Sequence, residues 1–196
     1  MKVIGITGGV GAGKSEVLRL IKNMCSCIIV TADDLARSLE VPGEVCYEPL
    51  VDLLGREVLA KDGTIDPKKM AHMIFADGSE QLLDGVNAIV HPAVKKRILS
   101  MIGEARDKKS ADYFFIEAAL LIEDGYDAIV DEMWYIRADE DVRRSRLKSS
   151  RGYSDEKIDD IIRSQSSDDV FRKHCSVVID NSGTLEDTAG QLSRLL

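Results

Sequence analysis

Val3-Ile4-Gly5-Ile6-Thr7-Gly8-Gly9-Val10-Gly11-Ala12-Gly13-Lys14-Ser15 decides the fold. Its first five residues form a short apolar run bounded by glycines, the pattern of a strand buried on both faces of a parallel sheet. From Gly8 to Ser15 the residues fit G-x-x-x-x-G-K-[ST], the loop that cradles nucleotide phosphates. From Lys14 onward, Val17, Leu18, Ile21 and Met24 recur at three- and four-residue steps, so a helix with one apolar face follows. The motif therefore lies between a buried strand and an amphipathic helix, the context its mechanism requires.

Glycines at these positions let successive backbone N–H groups turn inward as a nest, and the helix N-terminus adds about half a positive charge. Gly8, Gly9, Gly11, Ala12, Gly13, Lys14, Ser15 and Glu16 are accordingly the expected ATP-binding residues. Lys14 would reach the β- and γ-phosphates, and the Ser15 hydroxyl would ligate the Mg²⁺ that bridges them. GTPases, motor-like ATPases and small-molecule kinases all carry such a loop, so it does not name the reaction. An Asn-Lys-x-Asp guanine-reading run is absent, as is a long apolar strand ending in Asp-Glu.

The chain has 196 residues, enough to bury a substantial single core. Lys and Arg number 26 against 34 Asp and Glu, a formal charge of −8, which argues against nucleic-acid binding through the whole surface. Apolar residues make up 44% and charged residues 31%, too hydrophobic for disorder, and no run approaches the ~18 apolar residues of a spanning helix. The N-terminal apolar run is too short for a secretory signal, so a cytoplasmic location without membrane attachment is expected. Cys25, Cys27, Cys46 and Cys175 lack zinc-knuckle or disulfide-framework spacing and read as reduced thiols.

Four further apolar runs read as buried strands: Cys27-Ile28-Ile29-Val30, Tyr113-Phe114-Phe115-Ile116, Met133-Trp134-Tyr135-Ile136 and Val177-Val178-Ile179. Between them lie helical stripes. Pro67 after the cap candidate Asp66 opens one, which Asp77-Gly78 should end. A second, with Val94, Ile98, Met101 and Ile102, should start after His91-Pro92, and a third, with Ile158, Ile161 and Ile162, after Ser154. Asn181-Ser182-Gly183 reads as a turn, and Thr184 with Asp187 resembles a capping box before a final helix. Lys61-Asp62-Gly63 and the stretch Gly103 to Ser110 read as solvated loops. The alternation implies an α/β fold: a three-layer P-loop kinase core on a five-stranded parallel sheet. The core would occupy about 1–38 and 112–196, with a helical substrate-binding insertion at about 39–111 and a lid at about 137–166.

Asp33 follows the second strand. In parallel sheets ligands sit beyond the strand C-termini, so Asp33 is a candidate general base for an acceptor hydroxyl. Its local alternative is capping the helix that carries Leu35-Ala36-Arg37. Glu117 ends the third strand and would orient Mg²⁺ through water or stand exposed. Arg143, Arg144, Arg146, Lys148, Arg151 and Arg163 concentrate positive charge after the fourth strand, either as a solvated helix face or as a lid over the transferring phosphoryl group.

The sequence resembles the dephospho-CoA kinase family along nearly its whole length. The residues that carry the likeness begin with Ile6-Thr7-Gly8-Gly9 through Ser15, Ala32-Asp33 and Ala36-Arg37. They continue with Val41-Pro42-Gly43, Asp62-Gly63-Thr64-Ile65, Val90-His91-Pro92, Leu120-Leu121-Ile122-Glu123, Arg163 with Gln165, and Val178-Ile179-Asp180-Asn181-Ser182-Gly183. The resemblance implies transfer of the ATP γ-phosphate to the ribose 3′-hydroxyl of dephospho-CoA, the last step of CoA synthesis. It also implies Asn181 as a nucleotide contact and Arg151, then Arg146, as the arginine meeting the γ-phosphate. His91 would either cap a helix of the insertion or face the acceptor. Departures from the family pattern are Thr31 for a first Asp, Glu16 for Thr, Glu117 and Ala119 for Asp and Pro, and one extra residue between Arg146 and Arg151. Other small-alcohol kinases and a non-catalytic nucleotide switch are the rival readings, and oligomeric state is not legible.

Overall fold

The computed structural model describes residues 1–196 apart from Asp77 and Ala119. The helix stop at Asp77 and the family departure at Ala119 thus lie outside the described residues. In chain order the chain runs β1 (Lys2–Thr7), α1 (Lys14–Met24), β2 (Cys27–Thr31), α2 (Ala32–Leu39), α3 (Tyr47–Leu54), α4 (Pro67–Ile74) and α5 (Glu80–Lys108). It continues with β3 (Tyr113–Glu117), β4 (Glu132–Arg137), α6 (Glu140–Arg151), α7 (Asp155–Arg163), α8 (Asp168–His174), β5 (Val177–Asp180) and α9 (Leu185–Leu192).

The five strands lie in the order β2-β3-β1-β4-β5. β1 pairs in parallel with both β3 and β4, and β4 with β5. All five strands coincide with the apolar runs, because a strand covered on both faces must be apolar on both. Ile4 and Ile6 of β1, Phe115, Trp134, Ile136 and Ile179 are wholly buried, together with Val17 and Ile21 of α1 and Leu192 of α9. Phe115 and Trp134 meet edge to face at 5.7 Å between ring centres. Each such side chain contributes about 1.5–3 kcal/mol by leaving water, so β1 is anchored as deeply as any element.

The chain divides into two compact units, residues 1–30 with 105–196 and residues 31–104. In the second unit, Asp66 caps α4 through its Oδ1, which accepts from the Lys68 and Lys69 N–H groups at 2.9 and 3.3 Å. Two expectations fail there. No helix begins after His91-Pro92: α5 runs unbroken through both residues, so His91 is not a cap. Val86, Val90, Val94, Ile98 and Ile102 are all buried at four-residue steps. That stripe runs straight past Pro92 and outweighs the hydrogen bond the proline cannot make. Nor is the stretch from Gly103 a loop, since the same helix extends to Lys108 with Ala105 buried.

Elsewhere the capping signals hold. Ser154 accepts from the Lys157 N–H at the start of α7, and Thr184 with Asp187 forms a capping box on α9. All four cysteines are free thiols. No helix among the described residues is long and apolar enough to cross a membrane.

Candidate active site

The loop between β1 and α1 is shaped by what surrounds it. Gly8 has φ +147°, and a Cβ there would stand 2.4 Å from the Ile136 carbonyl oxygen of β4, so only glycine passes. Gly13, the N-cap of α1, has φ +89°, and a Cβ would meet Asn181 Nδ2 at 2.4 Å. No side chain caps α1. Among the described residues, the N–H groups of Gly11, Gly13 and Ser15 find no backbone acceptor outside regular helices and strands.

The loop's carbonyls, by contrast, are held by the protein. Asn181, itself buried, donates from Nδ2 to the Ala12 carbonyl at 2.8 Å and accepts from the buried Thr188 hydroxyl at 2.9 Å. Arg146 donates to the Ala12 carbonyl at 3.2 Å and to the Asn181 carbonyl at 2.8 Å. Arg143 donates from Nε to the Val10 carbonyl at 3.0 Å. A trans peptide is planar, so a carbonyl held on one side sends the N–H of the next residue to the other. Fixing the Val10 and Ala12 carbonyls therefore orients the Gly11 and Gly13 N–H groups away from the clamping side chains.

Lys14 donates from Nζ to the Gly8 carbonyl at 2.8 Å and lies 3.6 Å from Glu117 Oε1. Register explains the meeting: Ile6 of β1 pairs with Glu117 at the end of β3. Ser15 is exposed at the first turn of α1. Glu16 is spent locally. Its N–H donates to the Gly13 carbonyl at 3.0 Å, and both carboxylate oxygens accept from Arg19 Nε at 3.1 Å. That hydrogen bond holds the Glu16 carboxyl below its ordinary range. Thr7, ending β1, is fully buried, and its hydroxyl has no hydrogen-bond partner among the described residues.

Asp33 does not cap α2: the N-cap is Thr31, whose hydroxyl donates to Asp34 Oδ2 at 2.6 Å. The helix begins directly where β2 ends, which puts Asp33 inside the first turn. Its carboxylate is exposed and engages no hydrogen bond or ion pair among the described residues. His91 is half-buried in the middle of α5.

The cationic run is largely consumed within the protein. Arg144 of α6 pairs with Asp159 of α7 at 2.6 Å, and Lys148 with Asp155 at 2.6 Å, joining the two helices. Arg163 lies 3.5 Å from Asp160. Arg151, exposed at the last position of α6, places its guanidinium 6.0 Å from the Tyr153 ring centre. Sequence reasoning missed Arg143 as a loop contact. The signal available was the loop's own glycine pattern: a Cβ at Gly9 would meet Arg143 Nη2 at 2.5 Å and Gln165 Oε1 at 2.8 Å.

A parallel sheet whose first strand feeds a phosphate loop into a helix, with a lysine at that helix's start, defines the class of P-loop nucleotide-binding proteins. Solved structures agree on the fold. A Thermus thermophilus protein superposes with a TM-score of 0.81 at 27% identity, covering 99% of this chain and 95% of that one. A dephospho-CoA kinase from Campylobacter jejuni gives 0.72 at 19% identity over 100% and 96%, and a shikimate kinase from Bacteroides thetaiotaomicron 0.58 at 12% over 99% and 97%. A family model described as dephospho-CoA kinase matches residues 2–187. A dephospho-CoA kinase of Carboxydothermus hydrogenoformans is 34% identical over 196 residues, covering 100% of this chain and 93% of the relative. One of Dehalococcoides mccartyi is 36% identical over 95% and 92%. The chain belongs to the dephospho-CoA kinase family, and as a kinase it uses ATP.

Proposed function

We propose that this chain transfers the γ-phosphoryl group of ATP to the ribose 3′-hydroxyl of dephospho-CoA, giving CoA and ADP in the final step of coenzyme A biosynthesis. The observation that carries the phosphate-binding half is the loop whose Val10 and Ala12 carbonyls are tied by Arg143, Arg146 and Asn181. The Gly11, Gly13 and Ser15 N–H groups are thereby left for phosphate oxygens, and Lys14 supplies the cation beside them. Asn181 then serves the nucleotide through Ala12, and Arg146 through the loop as well. Arg151 is the arginine assigned to the transferring group. Asp33 hydrogen-bonds the acceptor hydroxyl and takes its proton as the new oxygen–phosphorus bond forms and ADP leaves.

The residues fit Mg²⁺. Among the described residues no group of three His, Cys, Asp or Glu could hold a metal. Ser15, through its hydroxyl, and Glu117, through water, would hold such an ion, its other positions left to water and phosphate oxygens. When bound, it neutralises charge on the β- and γ-phosphates. His91 and the insertion at about 39–111 are assigned to the acceptor side, the segment at about 137–166 to the lid, and the protein to the cytoplasm.

A coupled ADP assay tests the reading. With MgATP, dephospho-CoA should raise turnover strongly, while nucleosides and shikimate should not. Equal stimulation by another alcohol would make this a different small-alcohol kinase, and slow hydrolysis indifferent to every acceptor would make it a nucleotide switch.

A further inference from the structure

Val10 lies in the phosphate loop, and both of its backbone groups are taken by side chains from far along the chain. Its N–H donates to Gln165 Oε1 at 3.2 Å, and its carbonyl accepts from Arg143 Nε at 3.0 Å. Arg143 Nη2 also donates to the same Gln165 oxygen, closing the ring. Arg143 sits half-buried on α6, while Gln165 lies between α7 and α8. Burial drives the Arg143 guanidinium below its ordinary pKa, partly offset by Tyr135 and Glu140. Desolvating a guanidinium costs free energy, which its bidentate use against Val10 and Gln165 offsets.

We propose that Arg143 and Gln165 are positioning residues for nucleotide binding, a two-residue clamp on Val10 that fixes where the Gly11 N–H points. The proposal rests on reading the loop as the phosphate cradle. Because the Val10 carbonyl and the Gly11 N–H share one planar peptide, releasing the carbonyl lets that N–H rotate out of the nest. The clamp also connects the loop to α6 on one side and to the segment after α7 on the other.

Gln165 acts only as an acceptor here, which gives a discriminating variant series. Gln165→Glu keeps an oxygen for both donors, whereas Gln165→Met keeps the length and loses the acceptor. Titration calorimetry with MgATP, needing no acceptor substrate, reads the nest; ATP and dephospho-CoA KM, kcat and Tm are measured alongside. Arg143→Met and Gln165→Met should each weaken MgATP binding by about tenfold, equal to ~1.4 kcal/mol. The double variant should be little worse than either single one, since both break the same clamp. Gln165→Glu should recover most of the affinity, and the dephospho-CoA KM should stay within about twofold throughout. Arg143→Lys, which retains one donor for Val10 but not the bridge, should fall between. If Gln165→Met and Gln165→Glu lower Tm alike and bind MgATP as the parent does, the clamp is only structural and the proposal is overturned. A wrong acceptor assignment would show separately, as wild-type protein that binds MgATP and leaves dephospho-CoA unchanged.

Discussion

Two strand-to-helix junctions in this molecule solve opposite electrostatic problems. Between β1 and α1 the chain inserts residues 8–13; between β2 and α2 it inserts nothing, and the strand passes directly into helix. Both helices begin without a side-chain cap on their backbone. At α1 the first-turn acid, Glu16, is neutralised by Arg19, leaving the helix end net positive. At α2 two first-turn acids stand together. Asp34 takes the Thr31 hydroxyl and lies 3.5 Å from Arg37, while Asp33 engages no partner among the described residues. The proposed function assigns the first junction to the donor's phosphates and the second, through Asp33, to the acceptor's proton.

The sharpest way to break this contrast is Asp33→Asn, which keeps shape and removes the proton acceptor. On the order of 10²–10⁴-fold should be lost from kcat, with the KM for ATP nearly unchanged. Steady-state kinetics with both substrates varied would read it, and equal losses in kcat and ATP affinity would count against the assignment. Lys14→Met attacks the other junction. It should cost on the order of 10²-fold, appearing in MgATP affinity as well as in kcat.

Smaller effects come from the polar groups behind the loop. Thr188→Val orphans the buried Asn181 oxygen and should destabilise by about 1–3 kcal/mol in urea unfolding. Thr7→Val removes a buried hydroxyl that already lacks a partner among the described residues, so stability should hold or rise by up to ~1 kcal/mol.

The smallest effect is the pH dependence of Tm. Glu132 is held below the usual carboxylate range by Lys2 and Trp134. Asp180 is too, because Ser182 and Arg137 outweigh its burial. A depressed folded pKa gives stability that is present above the unfolded value of ~4 and lost as pH falls through the folded one. Tyr135 is pushed up to about 12 by burial and then Asp168, and Tyr126 to about 12 by burial and Asp124. Their contribution is present below the unfolded value of ~10 and lost as pH rises through about 12. Burial likewise pushes the Cys25 and Cys175 thiols up to about 11 from an unfolded value of ~8.5. Tm should therefore be flat between about pH 5 and 8 and fall on both sides; a maximum at one end of that window would contradict these shifts.

The sheet was legible because the parallel strands buried on both faces, β1, β3 and β4, must each be a continuous apolar run, and the half-buried β2 and β5 carry short apolar runs too. Caps at Asp66, Ser154 and Thr184 were legible for a similar reason, since the partner lies within three residues. Pro92 misled because its local penalty was visible and the four-residue stripe that overrides it spans both sides. In the site, the loop's own residues were readable, and so was Glu117 as the end of a strand beside the first. The fate of the arginines was not: Arg143 reaches Val10 across 133 positions of sequence, and Arg146 reaches Ala12 across 134. Charge counting shows that cations are present and cannot tell an arginine that meets phosphate from one that meets a carbonyl.

The central claim is that phosphate leaves ATP at the loop and arrives on a ribose hydroxyl. Phosphorus NMR of the product from dephospho-CoA and MgATP tests it most directly. One new phosphomonoester on the ribose 3′ position, formed mole for mole with ADP and abolished by Asp33→Asn, is the expected result. ADP accumulating while dephospho-CoA remains unmodified, or a phosphate carried elsewhere on the acceptor, would contradict it.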